Sequence, residues 1–131
     1  MKVLALDFGR ARTGVAVSDP TGTVARPLGV VERAATEDGL ARLAALIAEE
    51  EAERVVVGLP LTLRGEHGEQ ARETEAFVES LAAVTEVPVV TFDERFTTDL
   101  AEQTPAAAAE DARAAAHLLT SYLAWSSSAR A

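Results

Sequence analysis

Apolar positions fall into runs and stripes whose period changes along the chain. Residues 3–6 (Val-Leu-Ala-Leu) form an unbroken aliphatic run, the length of a strand buried on both faces. Asp7 ends that run, residues 8–14 turn the chain, and residues 15–19 read as a returning strand closed by a second turn at 20–23. Residues 23–31 supply a third strand. Pro27 within it cannot donate to a ladder, so this strand is expected at a sheet edge or with a bulge. The pattern then becomes helical: Leu40, Leu43, Ala44 and Ile47 make one stripe of a helix over residues 36–51. Residues 54–60 (Arg-Val-Val-Val-Gly-Leu-Pro) are the clearest buried strand, followed by a loop at 61–68.

A second helix is expected over residues 69–84, with Ala71, Val78 and Leu81 inward and Phe77 alongside. A strand follows at 87–92, ended by Asp93-Glu94-Arg95. A short helix is read over 97–102. Thr104-Pro105 is a helix start, a cap followed by proline in the first turn, and residues 106–125 have high helix propensity. Ala115, Leu118, Leu119 and Tyr122 make its inner stripe, and the tail 126–131 is expected to fray.

Three strands joined by short turns imply an antiparallel meander. The alternation of strands and helices that follows requires right-handed crossovers, so the strands at residues 3, 55 and 89 run parallel. The fold class is α/β: a meander plus two parallel strands, flanked by helices, in a single domain over residues 1–131.

This topology brings distant acids to one rim. Parallel strands present their C-terminal ends together, where α/β proteins bind ligands. Asp7, the loop after Pro60 and Asp93/Glu94 should therefore converge, and Asp111 lies in line with the core-facing stripe of the last helix, an unusual place for a carboxylate. Each acid also has a plain structural reading. Asp7 can satisfy its own turn, Asp93 and Glu94 can solvate a strand end, and Asp111 can favour a helix N-terminus. Together they suit a divalent cation with oxygen ligands, Mg²⁺ or Mn²⁺. The proposed ligands are Asp7, Glu94 and Asp111. Asp93 is the alternative to Glu94, but neighbours on a strand point to opposite faces.

Composition changes the picture in two places. The absence of cysteine excludes disulfides and cysteine zinc sites, and two scattered histidines make no metal cluster. The net charge of −9 argues against a nucleic-acid partner if taken globally, since phosphates attract lysine and arginine. However, the acids cluster in helical segments, at Glu49 to Glu51 and at Glu69, Glu73, Glu75 and Glu79. The arginines recur in expected loops, at Arg10, Arg12, Arg26, Arg64 and Arg95. Arg10, Arg12, Arg64, Arg95 and Thr97 are the candidate substrate contacts. Thr97 and Thr98 read equally as helix caps. His67 is read as an exposed loop residue, His117 as a solvated helix residue, and Tyr122 and Trp125 as packing. No apolar stretch nears a membrane span, and the first apolar run is too short for a signal peptide, so the cytoplasm is the expected compartment.

Four ordered segments resemble the motifs of the YqgF/RuvX family. They are Ala5-Leu6-Asp7-Phe8-Gly9 with residues 13–19, Val57-Gly58-Leu59-Pro60-Leu61 with Gly65 and Phe77, Asp93-Glu94-Arg95-Phe96-Thr97-Thr98 with Ala101, and Asp111 through Ala115 with Leu119, Tyr122 and Leu123. The resemblance implies an RNase H-like fold with a mixed five-stranded sheet. It also implies a nuclease that processes the 5′ end of pre-16S rRNA or resolves four-way DNA junctions. Asp7, Glu94 and Asp111 would then be the metal-binding acids, and Arg95 would position phosphate or brace the site. The chain departs from the family pattern in one segment. Residues 102–110 are short, alanine-rich and without lysine or arginine, where the family carries a longer, often basic stretch.

Two other classes are compatible with the sequence: a nucleic-acid-binding ribosome-assembly module without catalysis, and a nucleotide-phosphate domain, which would need a second such domain. A two-fold junction substrate would favour a homodimer with two sites.

Overall fold

The computed structural model describes residues 1–60, 67–93 and 107–130. Five strands, β1 (Val3–Asp7), β2 (Arg12–Ser18), β3 (Ala25–Glu32), β4 (Arg54–Leu59) and β5 (Val89–Asp93), form one sheet in the order β3-β2-β1-β4-β5. β1 pairs antiparallel with β2, and β2 with β3, whereas β1–β4 and β4–β5 are parallel. This is the expected meander plus two parallel strands. Pro27 meets both halves of its expectation: β3 is an edge strand, and its register slips where Val15 pairs with Gly29 but Ala16 pairs with Pro27.

The period of two assigns each strand residue to a face. Leu4, Leu6, Val15, Val55 and Val57 pack beneath α1 (Glu37–Glu49) and α2 (Glu69–Ala82), against Leu43, Ile47, Phe77 and Leu81. Val3, Ala5, Ala16, Val56 and Phe92 point the other way, onto Ala115, Leu118, Leu119 and Tyr122 of α3 (Ala107–Arg130). Among the described residues, α3 is the element that covers this second face.

Local chemistry explains the helix ends. Thr36 caps α1 by accepting the Gly39 N–H at 3.1 Å, and Glu37 and Asp38 follow in the first turn. At the other end, the Ala52 N–H reaches the Ile47 carbonyl and the Glu51 N–H reaches that of Ala48, both at 3.1 Å. This is a Schellman closure, and it places Glu51 at φ 54°, in the left-handed region that favours glycine.

The structure corrects four boundaries. β2 starts at Arg12, not at 15, because Arg12 and Thr13 pair with Glu32 and Val31 of β3 and so extend the ladder into the expected turn. α2 ends at Ala82 and buries Ala71, Thr74, Phe77 and Leu81, which leaves Val78 on the flank of its inner face. β5 starts at Val89, since Pro88 ahead of it contributes only its carbonyl, to the Val55 N–H. The tail expected to fray is helical: α3 continues to Arg130, with neither glycine nor proline to stop it. The short helix read over 97–102 lies outside the described residues.

Candidate metal and nucleic-acid site

Asp7 is the last residue of β1 and has the parity of Val3 and Ala5, which pack under α3. Its carboxylate-bearing position therefore faces α3. Across the antiparallel ladder Asp7 pairs with Gly14 of β2. At Gly14 the backbone of α3 comes close to the sheet: a Cβ placed there would lie 1.9 Å from the Asp111 carbonyl oxygen and 2.5 Å from its carbon. Only a residue without a side chain permits that approach. One glycine thus joins the start of the chain to its last helix and sets Asp111 beside the strand pair that ends in Asp7.

The Asp111 carboxylate is partly exposed, and its Oδ2 accepts a hydrogen bond from Arg12 Nε at 2.9 Å. Arg12 lies two residues before Gly14, on the same face of β2. The backbone of Asp111 is therefore seated on Gly14 while its side chain is held by Arg12.

Asp93 does not join this pair. Val90 and Phe92 pack with the α3 face and Val89 with the opposite one, so Asp93, of the same parity as Val89, faces away from Asp7. Glu94, Arg95, Thr97 and Arg64 lie outside the described residues. Among the described residues there is no group of three or more His, Cys, Asp or Glu able to hold a metal ion. The described part of the proposed ligand set is two carboxylates on one face, joined through Gly14. Their hard oxygen donors fit Mg²⁺ or Mn²⁺ and offer nothing to a soft metal.

Arg10 points to the other layer. Its Nε donates to Glu73 Oε2 at 2.8 Å, a second nitrogen contacts Glu73 Oε1, and Glu69 lies 3.6 Å away. The Glu73 hydrogen bond, then its charge, raises the Arg10 pKa above its already high ordinary value. The same bond lowers the Glu73 carboxyl below the usual carboxylate range. Phe8 anchors the turn by stacking on Phe77, with ring centroids 4.3 Å apart. The β1–β2 turn is thus fastened to α2 through Arg10 and Phe8, and to α3 through Arg12.

Arg12 and Arg26 stand on strands, not in the expected loops. Arg26 faces Val17 across the ladder, far along β2 from Gly14, and pairs with Glu50 at 3.7 Å. His67 is exposed, 3.7 Å from Glu75, and His117 is partly buried on α3 rather than fully solvated. Tyr122 is core, as expected. Trp125 is 53% exposed and lies against Phe92 and Tyr122. Reading the sequence as such does not single out Gly14 or Glu73. Gly14 was read as part of the turn over residues 8–14, and Glu73 was absorbed into a solvated acidic face. No helix among the described residues is long and apolar enough to cross a membrane.

The comparisons with known proteins follow the same lines. A protein of Chloroflexus aggregans, named as a candidate pre-16S rRNA nuclease, is 50% identical over 101 residues, 77% of this chain and 71% of that protein. One of the same name from an Anaeromyxobacter species is 49% identical over 102 residues, 78% of this chain and 74% of that one. A third, from Chloroflexus aurantiacus, is 45% identical over 101 residues, and the match spans 66% of its length. Among solved structures, Thermus thermophilus RuvC in complex with a Holliday junction superposes with a TM-score of 0.62 at 19% identity, over 96% of both chains. The Fowlpox virus resolvase bound to Holliday junction DNA gives 0.57 at 12% identity, over 95% of this chain and 97% of that one. At these identities the likeness establishes the fold, the RNase H-like mixed sheet. A family model described as RuvX, Holliday junction resolvase, matches residues 1–125, and with relatives half identical in sequence the chain belongs to that family.

Proposed function

We propose that the chain is a single-domain, divalent-metal-dependent endonuclease that hydrolyses phosphodiesters in structured nucleic acid. Its substrate is either the 5′ end of pre-16S rRNA or a four-way DNA junction, both of them cytoplasmic in a bacterial cell. The observation that carries this reading is the Gly14 joint, which brings Asp7 and Asp111 to one face of the sheet rim. With Glu94 as third ligand, these acids would hold Mg²⁺ or Mn²⁺. When bound, such cations would supply positive charge to offset that developing on the attacking and leaving oxygens.

The protein's own residues do the rest. Strand register and helix contact fix the backbone of Asp7 and Asp111, which would leave little reorganisation for the reaction. Arg12, and from the expected set Arg64, Arg95 and Thr97, would offer donors to phosphate oxygens, whereas Arg10 would first have to leave Glu73. A guanidinium can present two parallel N–H groups to one phosphate. Two copies of the chain would match the two-fold symmetry of a junction.

The test is cleavage of a four-way junction, a plain duplex and a 5′-extended 16S rRNA precursor, each with Mg²⁺ or Mn²⁺. Several kcal/mol of transition-state stabilisation rest on the cations, so Asp7→Asn should slow cleavage by at least about a hundredfold. Full activity in a folded Asp7→Asn protein refutes the reading. The net charge of −9 and the lack of any lysine or arginine over residues 102–110 favour a second reading, a binding module for ribosome assembly. RNA binding without cleavage of any substrate would select it.

A further inference from the structure

The Arg12–Asp111 pair has a consequence for how the site fills. Arg12 is the first residue of β2, with its side chain 43% exposed, and Asp111 is 31% exposed, so the pair sits at the open rim and not in the core. Its Nε–Oδ2 bond of 2.9 Å engages one of the two oxygens that Asp111 can offer a divalent cation. Arg12 also carries the charge that phosphate would require. One side chain thus stands between two ligands of opposite sign.

We propose that Arg12 is a displaceable counter-ion for Asp111, a positioning residue that makes cation and phosphate bind cooperatively. This rests on the reading of Asp7 and Asp111 as metal ligands. Before the cation arrives, Arg12 offsets the repulsion between the carboxylates of Asp7 and Asp111 and keeps Asp111 aimed at the rim. A bound cation takes the Asp111 oxygen, and the guanidinium swings to the phosphate. Phosphate binding draws Arg12 away from Asp111 in turn and frees that oxygen. Since both ligands favour the separated pair, each must raise the affinity of the other by the same factor. The pair is partly exposed, and such pairs are individually weak, so the factor is roughly two- to fivefold.

The test is Mn²⁺ titration by calorimetry on the wild type and on Arg12→Gln, Arg26→Gln, Asp7→Asn and Asp111→Asn, with no nucleic acid present. It is paired with titration of a four-way DNA junction with and without Ca²⁺, a cation of the same oxygen preference. Arg12→Gln should bind Mn²⁺ roughly two- to fivefold more tightly and lose the cation-dependent part of its junction affinity. Arg26→Gln, which removes a distant positive charge paired with Glu50, should change neither. Unchanged or weaker Mn²⁺ binding in Arg12→Gln, with Asp111→Asn still impaired, overturns the inference and leaves the metal site standing. Unchanged Mn²⁺ binding in both Asp7→Asn and Asp111→Asn overturns the inference together with the metal site.

Discussion

Gly14→Ala is the most economical probe of how the candidate site is built. The added Cβ would lie 1.9 Å from the Asp111 carbonyl oxygen, 2.5 Å from its carbon and 3.2 Å from the Ala112 nitrogen. All three are backbone atoms, so no side chain can rotate away. Carbon normally approaches a carbonyl oxygen no closer than about 3.3 Å, so α3 must retreat by roughly 1.4 Å at Asp111. That retreat loosens the packing of Ala115 and Leu118 on the sheet and opens space between the two carboxylates. Overpacking of this kind costs about 1–3 kcal/mol and occasionally more. An unyielding backbone clash belongs at the top of that range, about 3 kcal/mol.

For a chain of this length, 1 kcal/mol moves the melting temperature by about 4 °C, so a fall of about 12 °C is expected. Gly29→Ala is the matched control. Gly29 lies in the neighbouring strand, opposite Val15, and a Cβ there meets nothing within 4 Å. It should be neutral, or stabilising by up to about 1 kcal/mol through the unfolded state. Differential scanning calorimetry of the two variants makes the comparison, with Mn²⁺ affinity as the second readout. Melting points within about 2 °C of each other would show that α3 is not seated on Gly14, and the structural basis for joining Asp7 to Asp111 would be lost.

Two further outcomes follow from local chemistry. Glu51→Gly should stabilise the protein by about 1 kcal/mol, seen as a higher urea midpoint with unchanged slope, because it relieves a left-handed residue in a Schellman closure. A lower midpoint would contradict the strain. Asp19 is held well below the usual carboxylate range, first by the Thr21 hydroxyl and then by the Val24 and Thr23 N–H groups. A depressed native pKa adds stability above the unfolded value of about 3.9, and that stability is lost as pH falls below it. Asp19→Asn should therefore melt below the wild type at pH 7, with a gap that begins to shrink under about pH 4 and keeps shrinking as pH falls further. A gap constant down to pH 3 would refute the assignment.

How much of this was legible depended on the range of the interaction. β1 and β4 were readable because aliphatic runs report burial on both faces, and the meander because turns separate its strands. The start of β2 was not. Arg12 and Thr13 look like turn residues, and only pairing with β3 makes them strand. The opposed faces of neighbouring strand residues were readable from alternation, and the structure places Asp93 on the face away from Asp7. The partners of the two turn arginines were not: Glu73 lies 63 positions from Arg10 and Asp111 lies 99 from Arg12. No local pattern encodes such pairs. The approach at Gly14 was equally hidden, since a missing side chain is silent about what fills its place.

That separation also decides when a nascent chain could act. β1 is made early and α3 late, yet the proposed carboxylates meet only when α3 docks on Gly14. Chains emerge from the N-terminus first, and distant contacts are slow to close. An unfinished polypeptide would therefore carry Asp7 without Asp111. Any later detachment of α3 would uncover the apolar face around Ala5 and Phe92 in the same event that parts the two acids. Chemical competence and resistance to proteolysis would then rise and fall together, and a half-folded copy would be conspicuous to proteases and harmless to nucleic acid.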